Sequence, residues 1–117
     1  MVIPDPEVKE KFGMFQKEFK YAGYSPSLSC WESIIDFRPV DFAEKISPTP
    51  FLVFAAARDT WADSVANAMM MYNKAGEPKK LVVLPECTHF GTTEPGPNRD
   101  LVIKEMLGWF QHYLPPG

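Results

Sequence analysis

Two stretches decide how this chain folds: "FLVFAAARDTWAD" (Phe51–Asp63) and "LVVLPECTHFG" (Leu81–Gly91). Each is a short apolar run that breaks into a turn. An unbroken run of this length, bounded by turn signals, predicts a strand of the parallel kind buried on both faces. The expected strands are 51–57 and 81–85. Between them, Asp63–Ala75 predicts a helix capped by Asp63 or Ser64, with Val65, Ala68, Met69 and Tyr72 as its apolar stripe. After them, Asn98–Leu114 predicts a closing helix capped by Asn98. On it, Ile103, Met106, Leu107, Phe110 and Leu114 are expected to face inward. The pattern is β-α-β-α, so the fold class is α/β, and two strands joined through a helix run parallel as a rule.

Working outward, the first part of the chain predicts helices alone. Glu7–Ala22 carries Phe12, Phe15 and Phe19 at helical spacing and ends at Gly23. Ser27–Phe37 places Leu28, Trp31, Ile34 and Ile35 on one side. Val40–Ile46 suits one or two helical turns, and "SPTP" then stops any helix. The prolines sit at such boundaries and act as punctuation. The chain thus divides into a helical segment, 1–46, and an α/β portion, 47–117.

Composition narrows the class. Hydrophobic residues make up 45% of the 117, which suits one globular domain at most. Twelve basic and 15 acidic residues are mixed along the chain, with no basic stripe to hold nucleic acid. No apolar run approaches the roughly 20 residues that span a bilayer. No secretory signal opens the chain and no peroxisomal tripeptide ends it, so a cytoplasmic location is expected. Cys30 and Cys87 read as free thiols rather than a disulfide framework.

The chemistry lies just past the two strands. Asp59 stands two residues after "FLVFAAA" and His89 five after "LVVL". Parallel strands open both loops on one side, the carboxyl edge where open α/β sheets bind and react. An aspartate bonded to one imidazole nitrogen fixes the tautomer, and the other nitrogen can then take a proton. Asp63, opening a helix, reads as a cap, and His112 reads as part of a solvated helix face.

Neither nucleophile candidate satisfies the chemistry. "GYSPS" (Gly23–Ser27) approaches the G-x-S-x-G elbow, but it follows a helix-patterned stretch and lacks the last glycine. Pro26 also stands where a backbone N–H should serve the oxyanion, and proline has none. One such donor is worth about 3 kcal/mol of barrier. Cys87 sits two residues before His89 on one loop and reads as a structural or incidental thiol. Cys30, Cys87 and His89 show no metal-ligand spacing.

With "ISPTPFLVFAAARDT", "GEPKKLVVLPECTHF" and "EMLGWFQHYL", the chain from Ile46 to Leu114 resembles the C-terminal part of a fungal α/β-hydrolase. The likeness is closest to the hydrolase-like and polyketide-transferase proteins of fungal polyketide and toxin biosynthesis. The resemblance implies an incomplete sheet of that fold and acyl chemistry on an ester or thioester substrate. It implies no metal or organic cofactor. It makes Asp59 the acid and His89 the base of a triad, with the nucleophile missing from this chain. The expectation is a truncated or partial member whose nucleophile comes from elsewhere. The alternative is a non-catalytic remnant or interaction module that keeps the β-α-β-α unit.

The missing part has an energetic side. Burying Phe51, Leu52, Val53 and Phe54 would contribute roughly 6–12 kcal/mol. Net domain stability is only about 5–15 kcal/mol. Two strands leave an open edge, so self-association or a partner chain through that edge is expected.

Overall fold

The computed structural model describes residues 5–19 and 27–114. Among them are four α-helices, one 3₁₀ helix and a two-stranded parallel sheet, so the chain is mixed α/β. It divides into two compact units between Pro39 and Val40.

The first unit is helical. Helix α1 spans Pro6–Glu18; Asp5 caps it by accepting the Val8 N–H at 3.0 Å. It ends at Glu18, with Phe19 as an extended C-cap, earlier than the expected Ala22; residues 20–26 lie outside the described residues. Helix α2 spans Leu28–Asp36 between Ser27 and Phe37, as its stripe predicts. Ser27 is its N-cap, accepting the Cys30 N–H at 3.3 Å.

The second unit opens within the 3₁₀ helix, Pro39–Lys45. Strand β1 (Phe51–Ala56) follows, then α3 (Ser64–Lys74), β2 (Lys79–Leu84) and α4 (Pro97–Tyr113). The strands pair in parallel from Phe51 opposite Lys79 to Ala56 opposite Leu84. Side chains alternate across a sheet. Leu52, Phe54, Ala56, Lys80, Val82 and Leu84 therefore share one face. Val102 of α4 packs there against Ala56, Leu84 and Cys87, and Lys80 pairs with Glu105 at 2.6 Å. On the other face Lys79 Nζ donates to the Tyr72 and Ala75 carbonyls of α3, at 2.8 Å each. It also sits 4.4 Å from the centre of the Tyr72 ring. The two helices cover opposite faces.

Strand β2 begins two residues before the expected start. Lys79 and Lys80 look like turn residues, yet each lays an apolar stem across the sheet and sends its ammonium group to a helix. An ammonium at the carboxyl end of α3 also meets the orphan carbonyls and negative dipole end there.

Three expectations are corrected. First, the strands are half-buried through most of their length; in β1 only Ala55 and Ala56 are fully buried. One neighbouring strand and one helix per face cannot enclose Phe51 to Phe54. Second, α4 starts at Pro97 after Gly96, with no side-chain cap. Asn98 instead donates to the Glu86 carbonyl at 3.5 Å. Third, α4 turns Val102, Glu105, Trp109 and Tyr113 toward partial burial, while Ile103, Met106, Leu107, Phe110 and Leu114 are exposed. Strands lie about 4.8 Å apart, so two of them give a helix a platform only one stripe wide. On α3, Met69 is likewise exposed, and Met71 joins Val65, Ala68 and Tyr72 on the covered side.

Both sheet edges are open among the described residues. Phe51 donates to the Pro78 carbonyl and Ala57 to the Leu84 carbonyl, at 2.9 and 3.0 Å. Odd-numbered residues of β1 thus bond to β2, and the backbone groups of Leu52, Phe54 and Ala56 point to the outer edge. Ala56 is already served there: its N–H goes to Ser64 Oγ at 3.0 Å. No helix among the described residues is long and apolar enough to cross a membrane.

Candidate active site

Both loops after the strands open at one end of the sheet, because the strands are parallel and end level at Ala56 and Leu84. The rungs continue into them: Arg58 donates to the Cys87 carbonyl at 2.9 Å. The loop after β2 turns back on itself at Gly91. A Cβ at that position would lie 2.8 Å from Cys87 Sγ, so only glycine fits. This tight turn sets His89 beside the loop from β1.

Asp59 and His89 meet there, Nδ1 to Oδ2 at 2.8 Å. The Asp59 carboxylate is held from the other side as well. Its Oδ1 accepts the backbone N–H groups of Trp61 and Ala62, each at 3.0 Å. This turn aims Oδ2 at the imidazole. The Asp59 side chain is 6% exposed and the His89 side chain 26%. With Nδ1 engaged, the nitrogen left for proton transfer is Nε2, which makes no hydrogen bond among the described residues.

Burial works to raise the Asp59 pKa, but it is outweighed. The Ala62 N–H, the His89 hydrogen bond, the Trp61 N–H and the charge of a protonated His89 hold the carboxyl below the ordinary aspartate value. A depressed folded-state pKa contributes stability above the unfolded value, about 3.9. That contribution disappears as pH falls through the folded value. Melting temperature is therefore expected to drop on acidification below about pH 4, and to drop less in Asp59→Asn, which has no carboxyl to protonate. Parallel melting curves for the two proteins across pH 2–6 check this, and equal slopes would remove Asp59 as the cause.

Trp61 and Phe90 set their rings against the imidazole, with centroids at 4.7 and 4.9 Å, both near edge-to-face. Neither stands out in the sequence, since an aromatic residue in a loop carries no period. A cavity of about 370 Å³ adjoins the pair. Phe54, Ala56 and Val102 supply its apolar wall, and Ser64, Thr92 and Thr93 its hydroxyls. None of these hydroxyls hydrogen-bonds His89. Ser64 accepts the Ala56 N–H, and Thr93 Oγ1 donates to the Phe90 carbonyl at 3.0 Å.

The remaining candidates fall elsewhere. Asp63 caps α3, accepting the Ala66 N–H at 3.1 Å. His112 is exposed on α4, its ring edge-on to Tyr113 at 4.5 Å. Cys87 is fully buried, and its thiol faces the Thr88 carbonyl at 3.4 Å, which suits a structural thiol. Cys30 is exposed on α2. Of "GYSPS", Gly23–Pro26 lie outside the described residues, and Ser27 is a helix cap. Among the described residues, no three His, Cys, Asp or Glu side chains converge as metal ligands would. Compared with known proteins, the chain matches no family model, and no curated protein matches it.

Proposed function

We propose that Asp59 and His89 are the acid–base pair of an α/β-hydrolase-type acyl transfer or hydrolysis, with an ester or thioester as substrate. Asp59 keeps the proton on Nδ1 and steadies the imidazolium. His89 Nε2 takes the proton of a nucleophile and later returns it to the leaving group. The observation that carries this reading is the 2.8 Å contact between Nδ1 and Oδ2, made at the carboxyl ends of two parallel strands. The adjoining cavity supports it, being mainly apolar with a few hydroxyls, as an acyl group requires. The resemblance to fungal polyketide- and toxin-pathway hydrolases suggests where such a substrate would arise.

No described hydroxyl or thiol hydrogen-bonds His89. The nucleophile therefore belongs, on this reading, to a polypeptide that adds to the sheet. The outer edge of β1 is its docking place, since Leu52 and Phe54 offer unpaired backbone groups there.

A test follows p-nitrophenol release from short-chain esters and thiol release from acyl thioesters. The chain is assayed alone, and mixed with a hydrolase of the resembled family whose own catalytic histidine is removed. Turnover that appears in the mixture and is lost with His89→Ala is the expected result. Turnover untouched by that substitution refutes the role. A second reading, a non-catalytic interaction module, is favoured by the exposed apolar stripe of α4 and the open edges. It predicts no turnover in either arrangement.

A further inference from the structure

Asp59 lies in an exposed turn, yet it is covered. Residues 57–63 are all exposed except Asp59 itself. Trp61 is bound to both halves of the pair. Its backbone N–H holds Asp59 Oδ1 at 3.0 Å, and its indole meets the His89 ring at 4.7 Å with the planes 65° apart. Phe90 meets the same imidazole at 87°. One residue thus fastens the carboxylate through its backbone and borders the imidazole through its side chain.

A charge-assisted hydrogen bond is worth most where water is kept away, because a low local dielectric strengthens it. A ring edge-on to the indole also has fewer orientations open to it. We propose that Trp61 is a positioning residue for His89: its indole shields the Nδ1–Asp59 bond from water and fixes the imidazole so that Nε2 is the free nitrogen. The role rests on reading Asp59 and His89 as an acid–base pair.

The test is proton and nitrogen NMR of the histidine side chains in the wild-type chain, Trp61→Phe and Trp61→Ala. The chain has only two histidines, so the signals are assignable with His112→Gln. The expected wild-type result is a low-field Nδ1 proton on His89, visible because it exchanges slowly with water. In Trp61→Ala that exchange is expected to quicken about tenfold or more, with the backbone spectrum otherwise kept. Trp61→Phe, which keeps an aromatic ring, should retain much of the protection. A merely structural role would not produce this order. If the wild type lacks the Nδ1 proton, the acid–base pair itself fails, and this role with it. If the proton is present but exchanges equally in wild type and Trp61→Ala, only the role of Trp61 is overturned. Equal exchange in the Phe and Ala variants also overturns it. Should Trp61→Ala not fold, Trp61→Leu takes its place. In the wild type alone, absence of cross-relaxation between the indole and the His89 ring protons overturns the proposal.

Discussion

Asp59→Asn is expected to lower His89-dependent turnover by about 10⁴-fold while leaving the fold in place, because it reverses the tautomer and disturbs little else. The asparagine carbonyl oxygen can still accept the Trp61 and Ala62 N–H groups that now bind Oδ1. The other terminus becomes an NH₂ group, a donor facing Nδ1. His89 must then accept at Nδ1 and carry its proton on Nε2. The nitrogen open to a nucleophile is no longer a base. Turnover of the ester in the mixture with the hydrolase whose own histidine is removed, alongside the melting temperature at neutral pH, checks both halves. Turnover within tenfold of wild type would show that Asp59 does not orient the base.

Leu84→Ala is the second large effect, and it acts on folding. Leu84 is fully buried at the end of β2, against Ala56 and Cys87, with Val82 and Val102 around them. Removing a buried leucine side chain costs about 2–5 kcal/mol, in part for the void it leaves. Few other side chains in this unit are fully buried, so little remains to absorb the loss. Set against the roughly 5–15 kcal/mol of a typical domain, the change is expected to remove a large share of the unit's stability. Urea unfolding followed by circular dichroism reads it as a shift of the midpoint at unchanged slope. A shift worth less than about 1 kcal/mol would mean that this small core does not hold the unit together.

The two variants probe what the sequence made legible. "FLVFAAARD" and "LVVLPECTH" each state a strand and then a polar residue past its end, and parallel pairing does the rest. Those signals are local, so they survive without knowledge of the surroundings. The inward face of α4 was not legible, because its apolar positions indicate that a helix is amphipathic, not what it packs on. Ile103, Leu107, Phe110 and Leu114 suit a wider platform than two strands provide. The start of β2 was hidden by charge, since a lysine stem behaves as an apolar side chain only when its head has somewhere to go. Trp61 was hidden because its contact with His89 depends on the tight turn at Gly91, which brings distant loops together.

Ser64 has a consequence for anything that joins the sheet. A newcomer zipping along the rim of β1 finds main-chain partners at Leu52 and Phe54, then meets a rung whose hydrogen is spoken for by that hydroxyl. The zipper halts short of the acid–base loop. The opening in front of the imidazole would then stay clear for a small molecule, however firmly a second polypeptide held the edge below it.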